Sequence, residues 1–161
     1  MDTTAALVRI REIVGDDGVV DAEQTTVLTR DYRRLYEGEA AMVVRPATTE
    51  ECAAVVTVCS EASIGVVPQG GNTGYCGGAT PFDADNQVLL NLSRLNRVRE
   101  VDTVGFTMTV EAGLLLARVQ AAAAEHDLLF PLSMGSEGSC QIGGNLATNA
   151  GGVAVLRYGT A

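Results

Sequence analysis

Thirteen of the 18 glycines in this chain lie in two short stretches, six between Gly65 and Gly78 and seven between Gly135 and Gly159. Glycine permits positive φ and lets a ligand or another segment approach the main chain closely, so this clustering predicts two loops with a specific task on an otherwise ordinary scaffold. The scaffold has the size of one domain: 161 residues, 47% hydrophobic and 19% charged, enough to bury roughly two thirds of the unfolded surface. All 11 basic residues are arginine, which excludes a P-loop lysine and a Schiff-base lysine. A net charge of -9 provides no broad basic footprint for nucleic acid or an anionic membrane. The single histidine, His126, excludes a two-histidine metal site within the chain, and no metal is expected. A Ser-His-Asp triad stays arithmetically open through that residue alone. Cys52, Cys59, Cys76 and Cys140 form no CxxC pair and read as reduced thiols. The start of the chain carries Arg9, Arg11 and Glu12, too polar for the apolar stretch of a signal peptide, and no run has the length of a membrane span. Together these features predict the soluble cytoplasm of a prokaryote.

Outside the glycine stretches the pattern is mixed α and β. Leu7, Ile10 and Val14 stand at helical spacing, and a looser polar stretch runs to Arg34, so residues 1–35 read as an amino-terminal helical arm before a domain over 36–161. A βαβ pattern follows: Met42 to Arg45 as a strand, Thr48-x-x-Glu51 as a capping box, an apolar helix to Ala62, and Gly65 to Pro68 as a second strand. The two strands are expected to be parallel neighbours. Val88 to Leu92 is a third strand, Val98 to Val101 and Phe106 to Ala112 an antiparallel pair, and Leu114 to Glu125 a helix with an alanine-rich face. No internal repeat or linker is present.

The first loop reads Pro68-Gln69-Gly70-Gly71-Asn72-Thr73-Gly74-Tyr75-Cys76-Gly77-Gly78. Consecutive small residues can turn their N–H groups into one concavity, a nest that binds an anion such as pyrophosphate without lysine. Bare Gly70, Gly71 and Gly74 would admit phosphate oxygens, and the Asn72 and Thr73 side chains add donors. Neither GxGxxG nor GxxxxGK[ST] occurs, and the loop leads to a strand rather than opening a helix, so the Rossmann and P-loop schemes fail. A glycine-rich Ω-loop without a ligand fits the composition equally well. The second loop runs from Pro131 to Gly152, with small residues interleaved by Ser, Thr and Asn, and offers a surface along which a flat or elongated ligand could be hydrogen-bonded. Its alternative is tight packing of a short helix over Asn145 to Asn149, with Gly143 and Gly144 giving close approach.

Val67 to Gly74 with Gly77-Gly78, and Gly138-Ser139-Cys140-Gln141-Ile142-Gly143-Gly144-Asn145-Leu146-Ala147-Thr148-Asn149-Ala150-Gly151-Gly152 with Leu156 to Gly159, closely resemble the FAD-binding domain of the vanillyl-alcohol oxidase and p-cresol methylhydroxylase (PCMH-type) superfamily. Within it the chain is most similar to the D-2-hydroxyglutarate dehydrogenase branch and its D-lactate and glycolate oxidase relatives. The likeness spans Tyr32 to the last residue, with both motifs in order. It implies an α+β fold: a small βαβ subdomain holding the Met42 and Val66 strands, and the start of a larger, mostly antiparallel subdomain near Val88. It further implies FAD, held non-covalently, with Pro68, Gln69, Gly70, Gly71, Asn72, Thr73, Gly74 and Gly78 at the pyrophosphate. Pro131, Met134, Gly135, Ser136, Gly138 and Ser139 would run beside the flavin. Gly143, Gly144, Asn145, Thr148, Gly151 and Gly152 would line the remaining cofactor wall.

In such enzymes a D-2-hydroxy acid gives its Cα hydrogen as hydride to flavin N5 and leaves as the 2-oxo acid, the cofactor carrying the redox chemistry. Family members clasp the substrate carboxylate with arginines in a later substrate domain, so the catalytic residues are expected beyond Ala161 and the chain reads as a fragment, inactive alone. The expected partners are the small-molecule 2-hydroxy acid of the full-length protein and a second copy in a homodimer, with no nucleic acid and no membrane insertion. Two further functions stay open: a nucleotide-binding module without redox chemistry, and a non-catalytic remnant. Cys76 and Cys140 read as small thiols rather than flavin tethers. His126 reads as a charge near a helix C-terminus. Arg94, Arg97 and Arg99 read as a solvated strand edge beside Glu100 and Asp102. Arg157 adjoins the second motif.

Overall fold

A computed structural model describes residues 2–161, and their contacts divide into two units, one ending at Arg94 and the other beginning at Leu95. In the first unit, helix α1 (Thr3–Val14) is capped by Asp2, whose carboxylate accepts the Ala5 N–H at 2.8 Å, and a 3-10 turn (Asp16–Gly18) follows. Helix α2 (Ala22–Leu28) is capped by Asp21. The segments that were expected to form an arm are built into the unit: Ala6, Ile10 and Val14 of α1 lie in one cluster with Val44, Val55, Val58, Cys59, Ile64, Val88 and Leu90. Helix α3 (Thr49–Glu61) starts at Thr48, whose hydroxyl accepts the Glu51 N–H at 3.1 Å. The Glu51 carboxylate reaches back to the Ala47 N–H at 2.7 Å, one residue before the cap.

Strands β1 (Ala40–Val44), β2 (Gly65–Gln69) and β3 (Asp83–Asn91) form a parallel sheet in the order β1-β3-β2. The expected pairing of β1 with β2 is therefore corrected: each pairs with β3, in registers such as Val43↔Leu89 and Val67↔Leu89. The third strand also does not open the antiparallel part. The physical reason is its unbroken apolar run. Val88 and Leu90 face the α1/α3 cluster while Leu89 faces Val20, Val43 and Val67, and a strand buried on both faces belongs in the middle of a parallel sheet. Pro68, which cannot donate to a ladder, sits on edge strand β2.

In the second unit, β4 (Val98–Asp102) and β5 (Thr107–Val110) form the expected antiparallel pair. Helix α4 (Leu116–Ala124) follows, then two short helices, α5 (Ile142–Ala147) and α6 (Val155–Tyr158). The unit's core is Leu114, Val119 and Ile142 on Met108, Val110 and Phe130, with Leu116, Leu132 and Cys140 beside it. The short helix thus begins at Ile142, three residues ahead of its expected start.

Candidate functional site

Gln69 ends β2 and is 1% exposed. Its amide nitrogen donates to the carbonyls of Leu28 at 2.8 Å and Ala79 at 3.0 Å, and its Oε1 accepts from Asn91 Nδ2 at 3.0 Å. Between these anchors the chain runs through Gly70, Gly71, Asn72, Thr73, Gly74 and on to Gly78. Among the described residues, no N–H from Gly70 to Gly78 donates to a protein acceptor. A Cβ placed on Gly74 or Gly78 would meet nothing within 4 Å. Asn72 takes φ 52°, a left-handed conformation that asparagine tolerates. Its Nδ2 donates to the Arg30 carbonyl at 2.7 Å, so one of the two side-chain donors expected to face a ligand is committed to the protein.

The segment that supplies those carbonyls is organised by Asp31, 4% exposed. Its carboxylate accepts the N–H groups of Arg33 at 2.9 Å, Leu35 at 2.7 Å and Tyr36 at 2.6 Å. Burial raises its pKa, but these three donors outweigh that and hold the group below its ordinary value. Arg33 stacks 5.1 Å above the ring of Tyr75 on the loop. Nothing in the sequence singles out Asp31 or Asn91, because neither adjoins a glycine; an aspartate four and five residues before exposed Leu35 and Tyr36 is a faint turn signal at best.

The second loop lies wholly in the second unit. No N–H of Met134, Gly135, Ser136 or Gly138 donates to a protein acceptor among the described residues. A Cβ on Gly135, Gly138 or Gly144 would meet nothing within 4 Å. Gly143 and Gly152 differ. A Cβ on Gly143 would lie 2.7 Å from Ala112 Cβ and 2.9 Å from its carbonyl oxygen, and one on Gly152 would collide with the Ser133 carbonyl. Those two glycines serve packing, as the alternative for this loop anticipated. Gly151 is exposed and its Cβ would touch Val155 at 3.3 Å. Asn145 is 5% exposed, its Nδ2 3.7 Å from Met134 Sδ and its Oδ1 without any partner. The Thr148 hydroxyl donates back to the Gly144 carbonyl at 2.8 Å, Ser139 is exposed, and Pro131 is half-buried.

The second unit also holds a buried carboxylate that no sequence motif singles out. Glu111, its side chain 2% exposed, accepts from Arg97 Nη2 at 2.9 Å and Arg99 Nη2 at 3.1 Å. These donors, with burial opposing them, bring its pKa down to about 2. Arg97 and Arg99 are thus an ion-pair clasp, in place of the free solvated edge expected. Their two-residue spacing puts both on one face of the hairpin across from Glu111, which is the signal that was available. Arg94 donates to the Arg45 carbonyl at 3.1 Å in the first unit. Arg157 stacks on Tyr158, and His126 is exposed just past α4. Cys76 is exposed and Cys140 buried, 3.8 Å from Met134 Sδ. Among the described residues no group of His, Cys, Asp and Glu is placed to hold a metal, and no helix is long and apolar enough to cross a membrane.

In the first loop, unclaimed amides and glycines at 74 and 78 that face open space fit a diphosphate bound by main-chain donors; in the second unit, the buried Asn145 Oδ1 is an acceptor without a protein partner among the described residues. Comparison with known proteins bears on the same segments. The D-2-hydroxyglutarate dehydrogenase, mitochondrial, of Bos taurus is 39% identical over 160 residues, covering 99% of this chain and 28% of that protein. The protein of the same name from Arabidopsis thaliana is 36% identical over 152 residues, 93% of this chain and 27% of its own length. The chain therefore spans less than a third of these relatives. Both names place the relatives in mitochondria, which overturns the expected cytoplasmic setting. Reduced thiols and a polar surface suit a mitochondrial matrix as well as a cytosol, so the features used carried no information on compartment. In fold, the chain superposes on an alkyldihydroxyacetonephosphate synthase with a TM-score of 0.89 at 19% identity, over 99% of this chain and 32% of that one. Residues 40–161 match the family described as "FAD binding domain", and by that match, which takes in both glycine loops, the chain belongs to this PCMH-type family of FAD-binding proteins.

Proposed function

We propose that this chain is the FAD-binding portion of a flavin-dependent oxidoreductase that converts a D-2-hydroxy acid, of the 2-hydroxyglutarate, lactate or glycolate type, into the 2-oxo acid. The observation that carries the proposal is the run of amides from Gly70 to Gly78 that donate to no protein group among the described residues, in a loop held from below by Gln69. FAD, when bound, supplies the two-electron redox chemistry. The chain's own residues bind and orient. Main-chain N–H groups from Gly70 to Gly74, with Gly78, take the pyrophosphate, while Pro68 and Gln69 set the direction from which the loop starts. Pro131, Met134, Gly135, Ser136, Gly138 and Ser139 border the flavin, with Gly144, Asn145, Thr148 and Gly151 along the wall that Gly143 and Gly152 keep close to the protein. Cofactor attachment is non-covalent, supported by the burial of Cys140 against Met134. No residue of this chain is assigned to the chemical step. The proposal extends to a homodimer, for which the exposed apolar side chains of Val153 and Leu156 are the support; a single monomer mass in sedimentation equilibrium would overturn that part.

Calorimetric titration of the 161-residue chain with FAD, ADP and NAD tests the cofactor assignment. FAD is expected to bind at least about tenfold more tightly than ADP, a difference of about 1.4 kcal/mol. Equal affinity for FAD and ADP would favour a nucleotide-binding module that does not recognise the flavin.

A further inference from the structure

We propose that Gln69 is a positioning residue for the diphosphate: its side chain points beneath the first glycine loop and fixes the loop's neck, so that the amides above it are already aimed before any ligand arrives. The proposal rests on the FAD reading given above and adds how this chain achieves it. Three observations carry it. First, the Gln69 amide is fully used by protein: both anchors of its nitrogen and the one of its oxygen are intramolecular, and at 1% exposure it has no face left for a ligand. Second, those bonds join the loop's entrance at residue 69 to its exit at Ala79 and to Leu28, the last residue of α2, whose carbonyl has no partner within its own helix. Third, the loop's crown is held to the same segment by Asn72 on the Arg30 carbonyl, and that segment is itself fixed by the three amides on Asp31. A flexible ten-residue loop would have to be ordered at the moment of binding. A loop tied at neck and crown has already lost that freedom, and preorganisation of this kind raises affinity without adding a contact.

No acidic or basic side chain takes part in the Gln69 contacts, so substitution by glutamate introduces a titratable group where none exists. An ionised carboxylate would face the Leu28 and Ala79 carbonyls and repel them, whereas a protonated one can donate to one of them.

The test measures FAD binding to the 161-residue chain by quenching of flavin fluorescence, alongside thermal unfolding followed by far-UV circular dichroism. Wild-type binding of FAD is the control for the underlying reading: if the unaltered chain binds no FAD, that reading fails on its own. Given wild-type binding, Gln69→Leu is expected to weaken FAD and ADP by the same factor, at least about tenfold, and to leave riboflavin, which lacks phosphate, unchanged. Gln69→Glu is expected to bind FAD weakly at pH 8 and to recover at least about threefold at pH 5.5, while the wild type stays flat over that range. A cooperatively folded Gln69→Leu chain that binds FAD like the wild type overturns the proposal. So does a folded Gln69→Glu chain whose affinity ignores pH, or equal loss of riboflavin and FAD. If neither variant melts cooperatively, Gln69 belongs to the folding core rather than to positioning, and the proposal is likewise overturned.

Discussion

The two glycine-rich loops share a composition and use it in different ways. In the first, Gly74 and Gly78 are bare toward open space, Gly77 lies against the Tyr36 ring, and the loop is held by side chains from below, Gln69 at its neck and Asn72 at its crown. In the second, the glycines divide: Gly135, Gly138 and Gly144 face open space, while Gly143 and Gly152 let the chain press against Ala112 and Ser133. A glycine that lets something in and a glycine that lets the backbone close up look identical in a sequence. Adding one methyl group tells them apart, because one site loses ligand and the other loses stability.

The largest effect is expected at Gly152→Ala. The new Cβ would collide with the Ser133 carbonyl, which is main chain and cannot rotate away, so unfolding in urea should shift by about 3 kcal/mol. Gly143→Ala should follow at about 2 kcal/mol, since its neighbour is Ala112 on both side chain and carbonyl. A wild-type urea midpoint for either variant would erase the distinction between the loops.

Glu111→Gln comes next and sharpens the comparison, because Ala112, on which Gly143 packs, adjoins Glu111. The arginines are 68% and 48% exposed and rehydrate when the carboxylate is removed, which limits the expected loss at pH 7 to about 1–2 kcal/mol. The sign follows from the pKa: about 2 in the fold against an ordinary 4.5 means stabilisation that is complete above about 4.5 and is lost as pH falls toward 2. The wild type should therefore lose stability across that window and Glu111→Gln should lose less, as read by melting temperature against pH. Parallel curves for the two proteins would remove the clasp from the account.

Gly74→Ala should change stability by less than about 0.5 kcal/mol, because its φ is not in the left-handed region and open space lies above it. FAD affinity should nevertheless fall at least about tenfold, a loss of about 1.4 kcal/mol in binding. Unchanged affinity would mean that the bare face of this loop meets only solvent. The smallest effect is expected at Cys76→Ser: an exposed thiol should be replaceable with less than about 0.5 kcal/mol change, and acid precipitation should release all flavin from both proteins.

Much of this was legible beforehand, for identifiable reasons. Helix α1 and the Thr48 cap follow from short-range spacing, and the β4/β5 pair from two apolar runs around a turn. The two loops were visible through glycine. What was misread depends on distant partners. The order β1-β3-β2 requires knowing that Val88, Leu89 and Leu90 are covered on both faces, which a run of apolar residues permits but does not demand. Gln69 stands in the motif, but its bonds go to residues 41, 10 and 22 positions away, which no local pattern displays. Asp31 and Glu111 look like surface acids until folding brings amides and guanidinium groups to them.

The middle strand of the parallel sheet is also the last of the three to be synthesised, since Asp83–Asn91 follows both Ala40–Val44 and Gly65–Gln69. During translation the two flanking strands accordingly lack their common sheet neighbour until Asn91 has left the ribosome, and only then can Gln69, at the start of the loop that leads from β2 to β3, accept its bond from Asn91. A nascent chain arrested before residue 83 should expose two unpaired apolar segments to trigger-factor-like chaperones, and one arrested after Asn91 has emerged should not.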